Sequence, residues 1–168
     1  YAAAALVALA MTPALAWSAE PDPALRAYHA GNGFLNRGLN ELAIKEYEAF
    51  LEQRPDHDNA STARYGLGVA LFRLSRYEEC VDALTPVLQE REFEFASEAD
   101  LLLGQSHLML GEFSEAAERF QSLVDRDASH ASASAAAALL VESRYRAGDT
   151  ERAERAAPRL RLRLRPAL

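Results

Sequence analysis

The chain reads as an all-α protein built as an array of stacked antiparallel helix pairs, and three observations carry that reading. Small residues recur at Ala43, Cys80, Ala116 and Ala153, spaced by 37, 36 and 37 residues. Turn residues Gly38, Ser75, Gly111 and Gly148 keep the same intervals. So do the bulky residues Tyr47, Leu84 and Phe120, with Ala157 a weak fourth, and Gly31, Gly68 and Gly104, with Val141 in the fourth place. Coincident series at one period are the mark of a repeat protein, whose units cannot bury their apolar faces alone and must stack. Within each period, apolar residues fall at helical spacing up to the turn residue and resume after it, which gives two helices per unit. Alanine is abundant and strand-forming residues are sparse.

The 168 residues divide into an apolar leader, four units and a basic tail. No charge precedes Glu20, and the run from Ala2 to Ala16 has the length of a signal-peptide core. It falls short of the roughly 20 residues that a membrane-spanning helix needs. Ala14-Leu15-Ala16 fits a small-x-small cleavage pattern. Residues 1–19 are therefore expected to be a signal peptide cut within its own leader, and the chain to be exported, periplasmic or secreted. Membrane contact is expected only if the run stays uncleaved as an anchor.

The units are expected over residues 24–57, 61–94, 97–130 and 134–157, together forming one helical repeat domain over residues 20–157. In the first, apolar residues lead to the turn at Gly38, and a second helix ends before Pro55. In the second, Pro86 should kink the second helix. In the third, the spacing predicts helices over Ser97–Leu110 and from about Phe113 to Val124. The second of these places Phe113, Ala116, Ala117, Phe120, Leu123 and Val124 on one face. The fourth unit is degenerate: its first helix is alanine-rich and Pro158 interrupts its second, which suits either a terminal capping repeat or a chain truncated at this point. A basic tail over 158–168 follows, with Arg159, Arg161, Arg163 and Arg165.

The residues Gly31, Phe34, Gly38, Ala43, Tyr47, Phe50 and Pro55 resemble the tetratricopeptide repeat (TPR) pattern. The second unit matches through Leu67, Gly68, Leu71, Tyr77, Leu84 and Val87. The third matches through Leu103, Gly104, Gly111, Phe113, Ala116, Phe120 and Leu123. The resemblance covers about residues 24–157 and implies a right-handed superhelix with a concave groove lined by the first helix of each unit. The period exceeds the family's usual length by two or three residues, inserted between units. Such stretched units are similar to those of bacterial envelope TPR proteins, including outer-membrane assembly and Tol-Pal-associated periplasmic factors.

Carrying the family's groove offsets across selects Tyr28, Asn32 and Asn36 from the first unit. The second unit supplies Tyr65, Val69, Phe72 and Arg73, and the third Leu101, Gln105, Leu108 and Met109. Aromatic and aliphatic area would supply affinity for a protein or peptide partner, while Asn32, Asn36 and Gln105 would pair with its backbone. The basic clamp of chaperone-tail-binding TPR domains is not encoded, because Tyr28 and Thr62 stand at two of its offsets.

No catalytic constellation emerges from the sequence. It holds no glycine-rich phosphate loop, HExxH, CxxC or nucleophile elbow, so an enzyme, a cofactor and a metal site are not expected. His57 and His130 sit at unit ends beside acidic residues and read as solvated loop residues. His107 reads as a packing histidine, and His29 carries no signal of its own. Cys80 stands where the other units have alanine and reads as a small buried residue. Carboxylates such as Glu78, Glu79, Glu90, Glu92 and Glu94 read as a solvated surface. The net charge is −7, and all 25 acidic residues precede the four arginines of the tail. Such a body repels phosphate backbones, so no nucleic-acid partner is expected. The function expected is a non-catalytic interaction scaffold of the bacterial cell envelope; the alternative is a structural spacer or oligomerisation segment of a larger envelope protein.

Overall fold

The computed structural model describes residues 22–90 and 92–155. The leader, Ala157, Pro158 and the basic tail lie outside the described residues. Seven α-helices follow in order: α1 Pro23–Asn36, α2 Asn40–Gln53, α3 Ala60–Arg73, α4 Tyr77–Leu84, α5 Ala96–Leu110, α6 Phe113–Arg126 and α7 Ala133–Arg146. Residues 150–155 are helical as well. The first helices of the units start at Pro23, Ala60, Ala96 and Ala133, and so repeat the 37, 36 and 37 of the sequence. Each helix packs on its successor, while α1 also touches α3 and α3 touches α5. The result is the array of sequential antiparallel pairs that the periodicity predicts. Among the described residues no helix is long and apolar enough to cross a membrane.

The repeat is written in steric complementarity. A Cβ on Gly104 would stand 2.6 Å from the Phe120 ring, one on Gly68 2.6 Å from Leu84, and one on Gly31 2.9 Å from Tyr47. The paired helices thus meet where a missing side chain on one admits a bulky side chain from the other. Gly66 adds a second opening in α3, so the Tyr47 ring is held between α1 and α3. The turns within units use a left-handed residue, at Gly38, Ser75, Gly111 and Gly148. Ser75 takes φ of 61° without being glycine, a conformation that costs an L-residue about 1 kcal/mol.

Between units, the carbonyls of His57, Phe93 and His130 accept the N–H groups of Ala60, Ala96 and Ala133 at 2.7, 3.2 and 2.9 Å. His57 Nδ1 also accepts the Asn59 N–H at 3.0 Å, and His130 Nδ1 accepts that of Ser132 at 3.1 Å. The two histidines are therefore not plain solvated loop residues. They are half-buried and satisfy backbone donors at the starts of α3 and α7, which would otherwise be left unpaired.

The second unit departs from the others. Pro86 does more than kink its second helix: α4 ends at Leu84 after 8 residues and gives way to a 3-10 segment over Thr85–Gln89. Its counterparts α2 and α6 run for 14 residues. The chain beyond folds back on α3, where Ser61 Oγ hydrogen-bonds Glu90 and Phe93 and Phe95 contact Tyr65.

The buried residues form two clusters that meet at α5. One joins α1 to α4 with Ala99 and Leu103; the other joins α6 and α7 with Leu101 and Leu108 packed against it. Cys80 lies fully buried in the first, as its alanine-equivalent position implies, and accepts a hydrogen bond from Ser106 Oγ at 3.4 Å. Burial pushes its thiol above the ordinary range, which keeps it protonated and unreactive.

Candidate functional site

The eleven groove candidates lie along α1, α3 and α5, and the structure gives several of them a second task. Tyr28 is half-buried, its ring 5.3 Å from that of Phe50. Asn32 Oδ1 accepts the Tyr47 hydroxyl at 2.6 Å, so that oxygen is committed inside the fold rather than offered to a peptide. Asn36 is exposed. Tyr65 stacks on Phe95 with centroids 5.2 Å apart and planes 3° from parallel. Phe72 meets Tyr77 edge-on at 5.5 Å, and Val69 is half-buried beside it on the helix. The Arg73 guanidinium donates to the Leu35 carbonyl at 3.1 Å, which ties the end of α3 to the end of α1 while the side chain stays exposed. Leu101, Gln105 and Leu108 are half-buried, and Met109 is 61% exposed.

Two groupings extend the candidates with Leu35, Tyr145, Phe93 and Phe95, which were not among them. The first is a column: Leu35, Phe72, Leu108 and Tyr145 stand at the 37, 36 and 37 intervals, one per unit near the end of each first helix. Leu35, Phe72 and Leu108 are half-buried and Tyr145 is 48% exposed. The period that exposed the repeat would have found Leu35 and Tyr145 too. The second set comes from the connection between units two and three. Phe93, Phe95 and Tyr65 lie within 5.2 to 6.2 Å of one another, all half-buried. Glu98, 40% exposed, and Arg73 both act on the Tyr65 hydroxyl. Burial raises its pKa, Glu98 raises it further and Arg73 draws it back.

Asp100 was also missed. It is fully buried in α5, where Ser122 Oγ donates to its Oδ2 at 2.8 Å. Arg126 reaches the same oxygen at 3.1 Å, and Arg119 lies 3.5 Å from Oδ1. The cluster fastens α5 to α6. His107 Nδ1 lies 2.6 Å from Glu112, bracing the turn after α5. Among the described residues no group of three or more His, Cys, Asp or Glu is placed to hold a metal ion. A shallow cleft of about 430 Å³ lies between α6 and the end of α7, lined by Ser122 of the Asp100 cluster and by Glu118, Gln121, Arg144, Asp149 and Arg152 among others.

The model of one protein family, described as the N-terminal domain of the type VII secretion system (ESX-1) protein EccA1, matches residues 37–163. The chain belongs to this family. The match begins at the turn after α1 and runs through every later helix described. Among solved structures, MamA from Desulfovibrio magneticus RS-1 superposes with a TM-score of 0.66 at 22% identity, over 84% of this chain and 75% of that one. A tetratricopeptide repeat protein from Parabacteroides merdae ATCC 43184 reaches the same TM-score at 15% identity, over 79% of this chain and 50% of that one. At such identities the likeness is one of fold, and the fold is that of TPR-like helical repeats. No curated protein matches the chain. This EccA1-type region has a TPR-like helical repeat fold.

Proposed function

We propose that the chain is the partner-binding part of a type VII secretion protein of the EccA1 kind, taking a protein component of that system along the outward faces of α1, α3, α5 and α7. The column Leu35, Phe72, Leu108 and Tyr145 carries the reading. It places one apolar side chain per unit at the same height on successive helices, which suits an extended or helical partner read at regular intervals. Met109 adds an adaptable, exposed thioether beside it. In this reading Asn32 and Arg73 shape the surface more than they grip the partner, because both already bond within the fold. The family description names a secretion-system protein, and on that support we prefer this role to an envelope scaffold or spacer. An exported address is a separate proposal that rests on residues 1–19 alone.

Photo-crosslinking in the native host tests the site. A benzophenone side chain at Phe72 or Met109 should yield adducts with secretion components, whereas one at Glu48 or Asp82, exposed on α2 and α4, should not. Equal adducts from both surfaces, or adducts from α2 and α4 alone, would overturn the assignment.

A further inference from the structure

The acidic residues are not spread evenly over the fold. Glu52, Asp56 and Asp58 follow one another where α2 ends, and Glu92, Glu94 and Glu98 where unit two passes into unit three. The first five are exposed and Glu98 partly so. Glu98 falls in the first turn of α5, where the helix N-terminus favours a carboxylate. At the second of these junctions Glu94 lies between Phe93 and Phe95 in the chain, Glu98 acts on the Tyr65 hydroxyl, and the Tyr65, Phe93 and Phe95 rings cluster half-buried.

We propose that the junction of units two and three receives a cationic side chain, arginine or lysine, from a basic segment of a protein partner. Rings and carboxylates act on such a group together. The ring quadrupoles attract a cation lying within about 6 Å of a ring centroid, and the carboxylates complete its hydrogen bonds. Glu98 Oε1 lies 3.3 Å from His130 Nε2, which orients its carboxylate at the start of α5. Glu94, in the connection itself, is exposed. The net charge of −7 draws a basic segment in from a distance and disfavours an acidic one. Arg73 fixes the direction of approach. It stands eight residues beyond Tyr65 on α3, about 12 Å along the axis, and repels a cation at that end. A bound segment therefore points its basic end towards Glu94 and Glu98. The proposal rests on the groove reading only through Tyr65 and Arg73, which belong to both surfaces.

The test uses the full chain and two short fluorescein-labelled peptides, one bearing several arginines and the other citrulline at the same places. In fluorescence anisotropy the arginine peptide should bind about tenfold more tightly, with affinity falling as salt rises. Glu94→Gln with Glu98→Gln should abolish that preference. Glu78→Gln with Glu115→Gln removes the same charge from exposed positions on α4 and α6 and should leave it intact. Equal affinity for the two peptides would overturn the proposal, as would an equal loss in the two double variants. Failure of the crosslinks from Phe72 and Met109 with the arginine preference retained would remove the groove reading and keep the cation site; the opposite result would do the reverse.

Discussion

Asp100 shows how one side chain can work against its surroundings and still order them. Its carboxylate is stripped of water, and burial pushes its pKa up by more than Ser122, Arg126 and Arg119 pull it down. The folded state therefore binds the Asp100 proton more tightly than the unfolded state does. As pH falls through the raised value towards the ordinary 3.8, the folded chain gains stability from this group, the opposite of what an exposed ion pair does. Thermal unfolding of wild type and Asp100→Asn from neutral to mildly acid pH should show the wild type gaining on the variant as the pH drops. A gap that widens against the wild type would mean that the arginines dominate. Asp100→Ala should be destabilising at neutral pH, by about 1–3 kcal/mol, because Ser122 loses its acceptor and Arg119 and Arg126 lose their ion-pair partner.

At the scale of elements, the helix pairs are held by glycines that differ sharply in what surrounds them. Gly104→Ala would drive a methyl group into the Phe120 ring and should cost about 1–3 kcal/mol in urea unfolding, less whatever helix propensity returns. Gly33→Ala meets only an Arg37 side-chain nitrogen at 3.8 Å within its helix and should stabilise the protein by about 0.5–1 kcal/mol. The same contrast explains what the sequence made legible. Gly31, Gly68 and Gly104 each answer a bulky residue in the following helix, so a local pairing rule repeated three times fixed period, helix order and turns. The end of unit two obeyed no such rule. Pro86 announces that α4 must stop, but the return of Glu90, Phe93 and Phe95 onto Ser61 and Tyr65 bridges some thirty residues and leaves no spacing signal. The candidate site was legible to the same extent. Positions along α1, α3 and α5 followed from the repeat, whereas the commitment of Asn32 to Tyr47 depended on a contact that only the packed helices create.

Across the whole molecule, two buried clusters share α5, and a stacked array of this kind opens in blocks. Leu140→Ala removes a fully buried side chain from the second cluster and should cost about 2–5 kcal/mol there. Hydrogen exchange should then accelerate in α6 and α7 while α1 and α2 keep their protection. Uniform acceleration would show that the four units unfold as one. The Tyr47 ring, held between Gly31 and Gly66, sets a different boundary. Burial, with Tyr28 nearby, pushes its hydroxyl from an ordinary value near 10 up to about 12. Below pH 10 the neutral phenol favours the folded chain in full; between those two values the unfolded chain ionises first and that advantage drains away. A phenol at the seam of two units thus acts as an alkaline fuse: Tyr47→Phe should flatten the loss of stability above pH 10, and the late phenolate absorbance of the wild type should rise together with unfolding.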